Sequence, residues 1–410
     1  MTLQIANPRE RALVRAADAA LGLVSSVART FSRHVRPQDP RRILLLRLER
    51  IGDLLMTLPA IRDVRTLAPA AEIDLVVGRW NASMAAAVPS VSKVMTVDAN
   101  WLAREGGGLG MGALLSTARG WRASKYDLAI NFEPDIRSNL LLAASGAAWT
   151  IGWQTGGGGP VLDEALDFDP TTHTIDNARR LVRAAFAGSP AAPSTELNAV
   201  PLLSLPESAV RAALARLGAH RTNGTTLVGV HTSGGRAIKQ WDPARFAEVA
   251  THLVRERHAT IVLTGTSDER MLIDVVKRAL PAASVIDASG DLDLLELAAL
   301  LQQLDLFVTG DTGPMHLAAA VGTPVVAVFG PSAPHRYAPT GPADRIVRVD
   351  LPCSPCNRIR QPPARCVGHT PDCLVAVSSE AVITAALAVL DRGTPRVSGA
   401  VRLSSGQASR

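Results

Sequence analysis

Aromatic residues make up only 4% of the 410 residues, and tyrosine occurs twice, so alanine, leucine and valine have to fill the interior. Cysteine is limited to four, all within 353–373, which excludes a disulfide-dense scaffold. Long apolar runs are absent too. The longest uncharged stretches, around Leu140 to Leu162 and Thr312 to Pro334, are broken by glycines and prolines, and neither reads as a bilayer-spanning helix. The start has no secretory signal: Arg9, Arg11, Arg15 and Asp18 interrupt it and leave only the weakly apolar Ala19 to Ala28, so export is not expected. No internal repeat of about 20 to 50 residues is visible.

What is present is an ordinary globular composition, 47% apolar and 20% charged with 32 glycines and 27 prolines, long enough for two domains. Lys plus Arg number 43 against 37 Asp plus Glu, a formal charge of +6 that favours anionic ligands or surfaces without choosing one. Arginine supplies nearly all of the positive charge; this suits phosphate recognition, but we infer no nucleic-acid partner from it. Near the start Val14, Ala17, Leu21, Val24, Ala28, Phe31 and Val35 recur at spacings of three and four, with arginines elsewhere on the wheel. This predicts an amphipathic basic helix within residues 9–36. It can lie on an anionic membrane face or pack on the protein's own body or a partner.

From Arg41 the texture becomes alternating. An apolar run at Ile43 to Leu48 is followed by Glu49-Arg50-Ile51-Gly52-Asp53 and a helix-like stretch from Leu54, with further strands expected at Ile73 to Val77, Val94 to Val97 and Leu128 to Asn131. Glycine clusters at Gly106 to Gly120 and Gly156 to Gly159 read as mobile loops. A Pro- and Ala-rich segment, Ser189 to Pro206, reads as a linker. After it five strands, Leu227 to His231, Thr260 to Leu263, Ser284 to Asp287, Leu306 to Val308 and Val325 to Phe329, alternate with four helices. The expected organisation is an N-terminal extension (1–40), two α/β domains with doubly wound parallel sheets (41–205 and 206–392), and a disordered tail (393–410).

Open parallel sheets bind ligands at the carboxyl ends of their strands, and the loops there carry suitable residues. In Thr309 to His316, Pro314 fits the first turn of a helix, Asp311 or Thr312 can cap it, and Gly310 and Gly313 let an anion approach free N–H groups. The loop His231-Thr232-Ser233-Gly234-Gly235-Arg236-Ala237-Ile238-Lys239 offers hydroxyls, glycines and two cations to a diphosphate, and is not a Walker A loop. Gly265 to Glu269 puts an acid where a ribose hydroxyl could be held, although Ser267 or Asp268 could simply cap the next helix. Asp53, just past the first strand, suits either a general base or an N-cap of the helix from Leu54. The triplets Asp167 to Asp169 and Asp291 to Asp293 read as local turn and cap residues, and no catalytic metal is expected. The spacing Cys353-x2-Cys356-x9-Cys366-x6-Cys373 is compatible with structural zinc or with free or redox-active thiols.

Together these segments resemble glycosyltransferase family 9, the heptosyltransferases of lipopolysaccharide biosynthesis. The resemblance is carried by Arg42-Ile43-Leu44 through Gly52-Asp53-Leu54-Leu55-Met56-Thr57-Leu58-Pro59, by Lys239-Gln240-Trp241, by Gly265 to Glu269, and by Asp311-Thr312-Gly313-Pro314-Met315-His316 with Phe329-Gly330. It spans about residues 41 to 390. It implies the GT-B architecture, two Rossmann-like domains facing a cleft, and inverting, metal-independent transfer of a heptose from an ADP-sugar to a glycan or lipid-linked acceptor. It further implies Asp53 as base, Lys239 with Thr312 and Gly313 as diphosphate holders, Glu269 as ribose contact, and Asp311 and His316 as sugar and phosphate contacts. Thr232 and Ser233 join the donor loop, which departs from the Pro-Gly start of many members. The implied setting is the cytoplasm, at the inner face of the membrane. A different nucleotide-sugar, an epimerase on a similar fold, or a non-catalytic nucleotide-sugar binder are the alternatives.

Overall fold

A computed structural model describes residues 3–5, 7–31, 35–103, 106–188, 201–218, 220, 225–290 and 292–392. The chain opens with helix α1 (Pro8–Phe31) and then builds a sheet from β1 (Arg42–Arg47), β2 (Glu72–Val77), β3 (Lys93–Thr96), β4 (Leu128–Asn131), β5 (Trp149–Trp153) and β6 (Glu164–Leu166). Interleaved with these are α2 (Ile51–Leu67), α3 (Ala82–Ala86), α4 (Met111–Gly120) and α5 (Ile136–Ala144), followed by α6 (Thr174–Ala185). The second sheet holds β7 (Leu227–His231), β8 (Thr260–Thr264), β9 (Val285–Asp287), β10 (Leu306–Gly310), β11 (Val325–Val328) and β12 (Arg345–Val347). Its helices are α7 (Glu207–Leu217), α8 (Pro243–Arg257), α9 (Arg270–Arg278), α10 (Leu294–Gln302), α11 (Gly313–Ala320), α12 (Pro334–Tyr337), α13 (Asp372–Val375) and α14 (Ser379–Leu390).

Both sheets are wholly parallel with one strand order: β3-β2-β1-β4-β5-β6, and β12-β11-β10-β7-β8-β9 for the second. These are two Rossmann-like domains in the GT-B arrangement. Helices cover both faces of such a sheet, so its central strands are continuous apolar runs: Ile43 to Leu46 and Leu306 to Val308 are fully buried. In each sheet the order reverses beside the first strand, between β1 and β4 and between β7 and β10, and ligands of doubly wound folds bind outside that point.

Several expectations change. The first domain has two more strands than the sequence suggests, β5 and β6, and the second has one more, β12. The cluster at Gly106 to Gly120 is not simply a mobile loop, because α4 forms within it. Nor is the one at Gly156 to Gly159. Gly158 N–H donates to Asp18 Oδ1 of α1 at 2.6 Å, and at Gly157, with φ of +90°, a Cβ would collide with Val14. Of the two surfaces open to the N-terminal helix, one is therefore the protein's own body. The linker is structured at its end: Leu203 is buried and Ser204 N–H donates to Ala87 O at 2.7 Å, while 189–200 lie outside the described residues, as do Asp291 and the tail 393–410.

Candidate functional site

The reversal points of the two sheets face each other. Helices α2 and α11, which leave β1 and β10, meet at their N-terminal ends: a Cβ added to Gly52 would stand 3.1 Å from His316 Cδ2, and one on Gly313 would stand 3.0 Å from Ile51 Cγ2. Neither helix has a side chain capping its first turn. By contrast α5, α6, α8, α10 and α14 are capped by Asp135, His173, Asp242, Asp293 and Ser378. Two uncapped N-termini converging in one cleft leave N–H groups and the positive ends of two helix dipoles for an anion.

On the first-domain side the helix starts earlier than Leu54, so Asp53 is not its cap but a first-turn residue, one-third exposed, with Oδ1 3.4 Å from Arg47 Nη2. Arg47 ends β1 almost fully buried. Its Nη1 donates to Phe132 O at 2.8 Å and lies 3.1 Å from Glu49 Oε2, and its Nε has no partner. Burial opposes its charge, but Glu49, Asp53 and Glu133 outweigh that and keep the guanidinium protonated. Glu133, after β4, accepts from the backbone N–H groups of Leu48 and Glu49. Burial pushes both Glu49 and Glu133 up, to about 7 and about 8, with repulsion from Asp53 adding to the first and repulsion from Glu49 to the second. None of Arg47, Glu49 and Glu133 was expected as a site residue. A charge closing an all-apolar strand, at the end where parallel sheets bind ligands, was the available signal.

This cluster borders a cavity of about 510 Å³, large enough for a sugar or two, which also takes in Trp153, Phe168, Arg137, Arg336, Tyr337 and Arg360. Two of its buried hydroxyls, Thr155 Oγ1 and Thr174 Oγ1, have no hydrogen-bond partner. A buried hydroxyl without a partner costs about 1–3 kcal/mol, so a polyol that pairs with both would recover that loss.

On the second-domain side the expected donor residues come together, outside that cavity. Lys239 Nζ donates to Asp311 O at 2.5 Å and lies 3.1 Å from Asp311 Oδ2, while Thr309 Oγ1 and Thr312 Oγ1 are 3.2 Å apart. A Cβ at Gly234 would strike the backbone of Lys239, so glycine there lets the loop fold back on itself. Gln240 ties that loop together by accepting from Gly234 N–H and donating to Thr232 O, whereas Thr232 Oγ1 is buried without a partner. Glu269 caps with Thr266, not with Ser267 or Asp268, and its Oε2 accepts from Thr266 N–H at 2.8 Å. Burial pushes Glu269 up, but hydrogen bonds from Ser233 and Thr266 and the nearby His231 reverse this and leave it low. His316 is half-buried, and desolvation brings it down to about 4 despite Asp311 and Asp53, so it is a neutral imidazole at neutral pH.

The acidic triplets have local roles. Asp169 accepts from Thr171 and Thr172 in a turn, and Asp293 forms a capping box with Glu296. The four cysteines form no disulfide, and Cys373 packs beside Gly330. Among the described residues no three His, Cys, Asp or Glu side chains gather as metal ligands.

Residues 114–365, well over half of the chain, match glycosyltransferase family 9 (heptosyltransferase). The chain belongs to this family. As a family 9 member it is a glycosyltransferase. It is 28% identical over 324 residues to lipopolysaccharide heptosyltransferase 1 of Pseudomonas aeruginosa, covering 77% of this chain and 86% of that one. Among solved structures it resembles a family 9 glycosyltransferase from Veillonella parvula, with 25% identity and a TM-score of 0.70 over 88% of this chain and all of that one. The fold is shared with the ADP-heptose lipopolysaccharide heptosyltransferase II of Escherichia coli, with 19% identity, a TM-score of 0.67, and coverage of 86% and 99%.

Proposed function

We propose that this family 9 enzyme transfers a heptose from an ADP-heptose donor to a hydroxyl of a lipopolysaccharide-core acceptor, with inversion and without a catalytic metal. The observation that carries the reading is the meeting of a carboxylate, Asp53, with two uncapped helix N-termini and Lys239 across one cleft. Asp53 takes the proton of the acceptor hydroxyl as its oxygen attacks the anomeric carbon. The bond to the diphosphate breaks, its electron pair leaves with ADP, and the oxygen attacks from the side opposite the leaving group, which inverts the centre. The charge growing on the diphosphate is met by Lys239 and the N–H groups at Thr312 and Gly313. Glu269 suits a ribose hydroxyl, and neutral His316 can donate to or accept from sugar or phosphate without adding charge. The cavity with its orphaned threonine hydroxyls takes the acceptor.

The reading belongs to the cytoplasm, at the inner membrane face; among the described residues no helix is long and apolar enough to cross a membrane. Zinc on the four thiols enters only as a structural ion, tested by metal analysis of the purified chain beside its Cys353→Ser variant. The decisive test is calorimetry with ADP, UDP and GDP without added metal. ADP should bind best, and Lys239→Ala should weaken it by about 10- to 100-fold, the worth of one charged hydrogen-bond donor. Preference for UDP or GDP would keep the family and overturn the donor.

A further inference from the structure

Helix α1 has two apolar faces, and only one is used by the fold. Its inner face carries Val14, Leu21 and Asp18 against the body of the first domain, clamped by the Gly158 N–H on Asp18. Ahead of the helix Gln4 N–H donates to Thr155 O at 2.8 Å and Gln4 Nε2 to Phe168 O at 2.7 Å. Through these contacts Gln4, Ile5, Glu10 and Val14 form a wall of the same cavity that holds Asp53. On the outer face Leu13, Ala16, Ala20, Leu23 and Val24 follow one another at helical spacing and are all exposed, Leu13 at 72%, Leu23 at 73% and Val24 at 68%. Arg9 and Arg15 are exposed on the same helix, and the whole chain carries a net charge of +6.

We infer that the outer face of α1 is a docking surface for an anionic lipid bilayer, and that the helix thereby sets one wall of the acceptor cavity against the lipid. The stripe from Leu13 to Val24 is about 17 Å long and about 10 Å wide. A second copy of the chain would bury only about 170 Å² a side there, far below the about 800 Å² of a stable pair. Lying in a bilayer interface needs no such area, only a helix with leucine and valine on one side and arginine beside them. The cavity it borders takes a lipid-linked acceptor on the proposed-function reading, on which the second half of the inference rests; the docking itself does not.

The test uses the full chain, floated with vesicles of phosphatidylcholine alone and of phosphatidylcholine with phosphatidylglycerol. The protein should float with the anionic vesicles and not the neutral ones, and the double variant Leu13→Glu, Leu23→Glu should lose at least about tenfold in binding. On a water-soluble, delipidated acceptor the double variant should turn over like the wild type, which shows it folded. Equal flotation of variant and wild type, or no flotation of either, overturns the inference. So does a dimer in solution that the same substitutions split while vesicles are ignored. If the wild type binds anionic vesicles but transfers nothing to the delipidated acceptor from ADP-heptose, the docking stands and the proposed reaction falls.

Discussion

The two domains share a strand order and differ in what stands at its reversal point. In the second domain the polar groups are mostly paired with one another: Lys239 lies on Asp311, Gln240 closes its own loop, and Thr309 pairs with Thr312. In the first domain one buried arginine faces three carboxylates, and two hydroxyls lack partners. On the proposed reaction a donor phosphate must therefore compete with Asp311 for Lys239, which would make the donor side selective for a strong anion. An acceptor would instead fill hydrogen-bonding capacity that is already waiting. The difference suits a cleft whose one half binds a charged leaving group and whose other half binds a neutral hydroxyl about to react.

The contrast breaks most sharply at Asp53. Asp53→Asn should lower kcat by about 10²- to 10⁴-fold while ADP binding by calorimetry stays within about twofold; a loss of binding equal to the loss of rate would place Asp53 on the donor side. Next comes Arg47. Arg47→Met should cut kcat/KM by about 10²-fold and move the acid limb of its pH profile upward, since the clustered carboxylates lose their cation, and Arg47→Lys should restore part of both. Unchanged pH dependence in the methionine variant would reduce Arg47 to a packing role. A smaller effect is expected at the orphaned hydroxyls. Thr155→Val should raise the KM for acceptor by about three- to tenfold with kcat and ADP affinity unchanged. The smallest effect concerns stability. Glu133 binds its proton more tightly folded than unfolded, so the folded protein loses stability as pH rises from about 4.5 to about 8. Glu133→Gln should match the wild-type melting temperature at low pH and exceed it above about 8; identical melting curves at both ends would show that the proton is not held there.

The second domain was the more legible half. The boundaries of β7 agree with the pattern residue for residue, because a buried central strand has a local signature, and α8 opens at Asp242-Pro243, the kind of start that a sequence shows. Strands β6, β9 and β12 are three residues long and half-buried at sheet edges, so their composition is weak, and two of the three were missed. Helix α4 was hidden by the glycines just before it and by Gly112 and Gly120 within it. The loop proposed for the donor was readable as a unit since glycine, hydroxyl and lysine share it. Glu133 and Thr155 were not, being single polar residues whose importance comes from burial after distant segments pack. Helix α1 was read as amphipathic, yet periodicity alone did not show that its two sides have different partners.

The convergence of the α2 and α11 N-termini has a consequence for what happens after transfer. Their N–H groups and dipoles do not switch off when the sugar leaves, so on the proposed reaction a cleft that stabilises the departing diphosphate would hold the freed nucleotide by the same contacts. Product inhibition by the nucleoside diphosphate, relieved as salt screens the site, is then built into the geometry, and release of that product becomes a step whose rate the two helices help to set.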